Sequence, residues 1–64
     1  MAKDMYVLMF DDGHEFGPLA VFNKKPSNKQ LADLEVAEGM ETVEEVVESF
    51  AEGMFWEKVP FFKV

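Results

Sequence analysis

One stretch constrains the rest of the chain: Thr-Val-Glu-Glu-Val-Val-Glu-Ser-Phe-Ala-Glu-Gly, residues 42 to 53. Thr42 stands three residues ahead of Glu45, the capping-box spacing, in which the hydroxyl accepts from an early helical N–H and the carboxylate reaches back to the cap's own N–H. Gly53 is placed to close the helix in a left-handed conformation. Between them Val43, Val46, Val47, Phe50, Ala51 and then Met54 recur at i, i+3, i+4, i+7, i+8 and i+11, the single apolar stripe of an amphipathic helix. Glu41, Glu44, Glu45, Glu48 and Glu52 fall on the remaining surface. Such a stripe must be buried against another layer, which the rest of the chain has to supply.

The remaining residues supply strands. Met5 to Phe10 is a continuous apolar run, rich in aromatic and β-branched residues, and reads as a central strand buried on both faces. Asp11-Asp12-Gly13 follows as a hairpin turn, with pairing resumed from His14 to Phe16. Gly17-Pro18 interrupts the return strand, which Leu19 to Phe22 completes; a proline that cannot donate to the ladder predicts a bulge or an edge. After the basic loop Asn23-Lys24-Lys25-Pro26, Ser27 and Gln30 form a second capping box. A short helix is expected from Asn28 to Glu38, ended by Gly39. Val59 to Val64, with Pro60 inside it, reads as an edge strand. The expected fold is α+β in the order ββααβ, or ββαβ if the first helix does not form. It has a mostly antiparallel three-stranded sheet, the first strand in the middle, and the acidic amphipathic helix across one face.

Size and composition limit what such a fold can do. The 64 residues make one small domain, 1–64, and a chain near this length buries only about 60% of its unfolded surface, so stability is marginal or shared with a partner. The absence of cysteine removes disulfides, thiolate zinc sites and thiol nucleophiles. No apolar run approaches the roughly 20 residues of a membrane span. The start Met-Ala-Lys-Asp-Met lacks the apolar core of a signal peptide, so the sequence alone points to the cytoplasm.

Charge narrows the partners. Thirteen acidic residues face six lysines and no arginine, for a net charge of −7. Residues 1 to 32 hold four acids and four lysines, whereas residues 33 to 57 hold nine acids and no base. Direct binding to nucleic acid or anionic lipid is disfavoured, because phosphate contacts are made chiefly by Lys and Arg and an anionic surface is repelled. A basic partner fits.

Catalytic and metal chemistry find little support. Asp11-Asp12-Gly13-His14-Glu15 gathers three carboxylates and the one imidazole. Its spacing matches neither a calcium-binding EF-hand loop nor a helical two-histidine site, and polar residues at a hairpin tip are what turn chemistry selects. Of the two serines, Ser27 is needed as a cap and Ser49 lies inside a helix. A chain of this size has little room for a substrate cleft. No metal, cofactor or catalytic residue is assigned, and the expectation is a non-enzymatic protein.

Two features remain for function. Glu41, Glu45, Glu48 and Glu52 recur at spacings of four, three and four and so form a row. Glu44 widens it, while Glu38, Glu35 and Asp33 extend the charge backwards. Like charges at i, i+4 destabilise an isolated helix by about a few tenths of a kcal/mol per pair, and no lysine in the helix offsets them. The bland explanation, a solubility face of good helix-forming residues, competes with a recognition surface. The second feature is apolar: nine aromatics and five methionines, with Phe55, Trp56, Phe61 and Phe62 crowded near the end. Alternation sends Phe61 and Phe62 to opposite sheet faces. One of them is then left to the first helix, the tail or a partner.

In small size, lack of cysteine, acidic balance and excess hydrophobic surface, the chain resembles, as a class, the small proteins that bacteriophages make early in infection to inhibit host enzymes, some of them by imitating DNA. The resemblance rests on these bulk features and on no motif. It implies an inhibitor of a basic, nucleic-acid-binding host protein, with Glu41, Glu44, Glu45, Glu48 and Glu52 as contacts and Phe55 or Trp56 as an apolar anchor. The alternative is a structural module that forms homodimers through the sheet face and the C-terminal aromatics.

Overall fold

The computed structural model describes residues 3–62 and 64. Its elements run β1 (Lys3–Asp11), β2 (Phe16–Phe22), α1 (Asn28–Leu34), α2 (Val43–Glu52) and β3 (Met54–Phe61). This is the expected α+β order ββααβ. The three strands form one antiparallel sheet in the order β2-β1-β3, with the first strand in the middle. Both prolines that interrupt strands sit on edges, Pro18 in β2 and Pro60 in β3. Pairing shifts between Leu8 and Met9, where Leu19 of β2 is left as a bulge beside Pro18. Where the ladder loses a donor, an edge and a bulge are the available solutions, and β2 uses both.

The hairpin turn is longer than Asp-Gly alone predicts. Pairing resumes at Phe16 opposite Asp11, not at His14. The four residues between are held by side chains. Asp11 Oδ1 accepts the Gly13 N–H at 3.0 Å, and Asp12 Oδ1 accepts the N–H groups of His14 at 2.8 Å and Glu15 at 2.7 Å. The acids at the tip thus replace the missing backbone partners, as short polar side chains do in Asx turns.

Helix α1 has the full reciprocal box: Ser27 Oγ accepts from the Gln30 N–H and Gln30 Oε1 from the Ser27 N–H. It ends at Leu34, four residues earlier than expected. Glu35 adopts the left-handed conformation (φ 49°, ψ 51°) that Gly39 was expected to provide. The early stop lets Val36, Ala37 and Met40 turn back onto the core instead of continuing round a helix. Burial of three apolar side chains outweighs the roughly 1 kcal/mol that a non-glycine residue loses in that conformation.

Helix α2 lies where the sequence places it, between Thr42 and Gly53, with Thr42 Oγ1 accepting from the Glu45 N–H at 3.2 Å. The return bond from the Glu45 carboxylate is not made. Its apolar stripe is narrower than the spacing implies. Val46 is fully buried and Phe50 half-buried, but Val43, Val47 and Ala51 are exposed. The helix is rolled so that Ser49 and Glu45 flank the buried line instead, and Ser49 Oγ donates to the Glu45 carbonyl. Gly53 is not a left-handed cap: its φ of 151° and ψ of 1° turn the chain directly into β3. That strand therefore begins at Met54, five residues before the expected Val59, and ends at Phe61, before Phe62 and Val64.

Both helices cover the same side of the sheet. Alternation along the strands puts Tyr6, Leu8, Phe10, Ala20, Phe22, Met54 and Trp56 on one face. On that face Leu8 and Met54 join Leu31, Ala32, Met40 and Val46 in a single core cluster. The opposite face carries Met5, Val7, Met9, Phe16, Pro18, Val21, Phe55, Glu57, Val59 and Phe61. No described helix or loop covers it. The expectation that β1 is buried on both faces therefore fails for Met5 and Val7, which stay half-exposed; only Met9, walled by its cross-strand neighbours Pro18 and Phe55, is buried there.

Candidate partner-binding surface

The acidic face is built by α2 and by the turn that precedes it. Val43 to Glu52 projects Glu44, Glu48 and Glu52 into solvent, with Glu45 half-buried at the flank and Glu41 just ahead of the cap. Glu44 and Glu45 lie in the first turn, where the positive end of the helix dipole favours carboxylates. The rest of the row has no such support. The ion pairs among the described residues lie elsewhere, Lys29 with Asp33 at 3.3 Å and Lys58 with Asp4 at 3.1 Å. None reaches a glutamate of α2.

Tertiary structure adds two acids that helix periodicity did not place. The turn at Gly39, whose φ of 84° favours glycine, brings Glu38 to Glu45, Glu48, Ser49 and Glu52, and together these line a shallow polar cleft of about 290 Å³. A neighbouring cleft of about 310 Å³ has Phe10, Leu19, Met40 and Met54 along its walls with Glu15, Glu38 and Glu52 among the lining residues. Glu15 arrives from the hairpin, twenty-three residues before Glu38, and no local pattern signals it.

The two aromatic residues expected to serve the same surface are not brought to it. Trp56 lies on the helix side of the sheet, half-buried, edge-on to Phe22 (centroids 5.9 Å) and tilted against Phe50 (6.3 Å). The Lys25 ammonium stands 5.8 Å from its ring centre, a cation–π contact. Phe55 lies on the opposite side of the sheet, 6.5 Å from the Phe16 ring. Glu44, Glu45, Glu48 and Glu52 thus share one side of α2, with Glu41 just ahead of its cap, while Trp56 is part of the core wall and Phe55 part of the open sheet face.

The polar groups at the hairpin tip are occupied by their own turn. The Asp12 carboxyl is held below its ordinary value by the N–H bonds of Glu15 and His14. Ser27 is committed as a cap and Ser49 to a carbonyl. Among the described residues no three His, Asp or Glu side chains converge as a metal-binding group, and no helix is long and apolar enough to cross a membrane. The acidic surface can present several carboxylates at once to cationic groups.

Comparison with protein-family models, with curated proteins and with solved structures finds no match to this chain. The fold and surface define the class: a two-layer α+β domain whose antiparallel sheet is left uncovered on one side by the described residues and carries an acidic helix on the other.

Proposed function

We propose that this chain is a small, non-enzymatic binding protein that docks the carboxylate face of α2 onto a basic, nucleic-acid-binding protein and blocks its nucleic-acid site. The observation that carries this reading is the row Glu41, Glu44, Glu45, Glu48 and Glu52, joined by Glu38 and unpaired with any described lysine. From Glu44 to Glu52 the helical rise spans about 12 Å, with Glu41 just ahead of the cap. A single DNA strand, at about 3.4 Å of axis per phosphate, carries roughly three to four charges over that length. The four carboxylates of α2 therefore offer a comparable line of negative charge to a groove of Lys and Arg. Steering by such a field raises association rates and weakens with salt.

The test is a pull-down from nuclease-treated lysate with the wild-type chain beside the Glu45→Lys, Glu48→Lys double variant, followed by a duplex-binding assay on the captured protein. The expected result is a basic protein held by the wild type and lost by the variant. Its release should rise steeply with salt, and its duplex binding should be competed by the wild-type chain. Salt-independent capture by both chains would overturn the reading.

A further inference from the structure

The open sheet face is the largest feature that the acidic surface does not use. Its central row, contributed by β1, is Met5, Val7 and Met9, without a charge. Beside it β2 contributes Phe16, Pro18 and Val21, and β3 contributes Phe55, Val59 and Phe61. Phe16 is 69% exposed and Val21 63%. The register places the charged residues at its limits: Asp11, opposite Phe16, and Lys3, opposite Phe61, stand at the two ends of the β1 row, and Glu57 stands on the edge strand β3. An apolar centre with its charge at the margin is the layout of an interface, and contiguous apolar patches of this kind are uncommon on monomers.

We infer that the occupant of this face is a second copy of the chain, packed sheet to sheet. Three observations favour a copy of itself. The first is chemical: an apolar, twisted sheet face is complementary to another such face, and two sheets pack about 10 Å apart with aligned strands. The second is electrostatic. A net charge of −7 opposes self-association in general, but here α2 and its glutamates lie on the far side. With a shortest backbone dimension of 15 Å in each copy and about 10 Å between the sheets, the two acidic faces stand about 40 Å apart. That is several screening lengths of about 8 Å.

The third is area. Three strands about 4.8 Å apart and some eight residues long cover roughly 400 Å² in projection. Two copies therefore bury on the order of 1,000 Å², the lower bound for a specific interface. This corresponds to a weak dimer that forms as concentration rises, and that leaves both acidic faces outward. The contact is apolar, so salt does not dissolve it.

Sedimentation velocity on the full chain, from low micromolar to near-millimolar concentration and at low and high salt, tests the inference. The expected result is a monomer–dimer equilibrium that persists at high salt. It should be weakened by about tenfold or more by Val21→Lys and by Phe16→Glu, with circular dichroism unchanged. The control is Val47→Lys, an exposed apolar position on α2, which should leave the equilibrium within about twofold. A chain that stays monomeric throughout would overturn the inference. So would a dimer disrupted by Val47→Lys and untouched by both sheet variants, or one that salt dissociates. None of these outcomes depends on the acidic surface having a partner.

Discussion

Gly53 lies directly against Asp11: the Asp11 N–H donates to the Gly53 carbonyl at 3.0 Å, and a β-carbon on Gly53 would overlap the Asp11 carbonyl oxygen. This contact is the corner of the fold. It sets the end of α2 beside the end of β1, so that Met54 can pair at once with Phe10 and carry β3 down the central strand.

Gly53→Ala should therefore be among the most damaging single changes in the chain, losing about 3 kcal/mol or more, because both the positive φ and the close approach exclude a side chain. Gly39→Ala makes the informative contrast. Its φ of 84° is also unfavourable, but open space surrounds the added methyl, so only the backbone term of about 1 kcal/mol should appear. Urea unfolding of the two variants side by side measures the difference. Equal losses would mean that the Asp11 contact is not tight in solution.

Asp12 gives the hairpin tip a pH dependence of known sign. Its carboxylate accepts two N–H bonds, that of Glu15 contributing most, so its folded pKa lies below the ordinary 3.8. A depressed carboxyl stabilises the fold above the unfolded pKa, and the contribution disappears as pH falls through the lower folded value. Unfolding free energies of wild type and Asp12→Ala should differ from about pH 7 down to about pH 4 and converge below that. A gap that stays constant to low pH would show that the loss comes from turn geometry alone.

The acidic row predicts a gain of stability on charge reversal. Glu48 stands three residues from Glu45 and four from both Glu44 and Glu52, and Glu48→Lys turns three repulsive pairs into three attractive ones. Each pair changes by about a few tenths of a kcal/mol, so a total gain of roughly 0.5–1 kcal/mol is expected at low ionic strength, shrinking in high salt. Thermal unfolding at two salt concentrations reads it. A stabilised variant that no longer binds would show that the row carries a stability penalty tied to binding. No gain would place the glutamates too far apart or too well hydrated to repel.

Much of the fold follows from short-range pattern. The caps Ser27 and Thr42, the helices they start, the apolar run of β1 and the edge placement of both prolines are all legible, because each rests on bonds between residues three or four apart or on the chemistry of one side chain. The misplacements have a common origin. The helical pattern after Leu34 is real, yet Val36, Ala37 and Met40 gain more by turning onto the core than by continuing, and Glu35 accepts an unfavourable conformation to allow it. Likewise, nothing local distinguishes Met54 as the start of a strand, since the start is fixed by the Gly53–Asp11 contact.

The candidate surface divides the same way. The glutamate row is a property of helix periodicity and needs no tertiary information. Periodicity cannot say which sides of a sheet are covered, and the spacing of Phe55 and Trp56 does not reveal that one faces the core and the other the open side. Sequence by itself thus determined the elements, their order and the anionic helix face, because those depend on neighbours along the chain. Tertiary structure alone decided the roll of α2, the arrival of Glu15 and Glu38 beside it, and the stacking of both helices on one face. Each of these depends on which apolar surfaces meet, and that is settled only when the whole chain is packed.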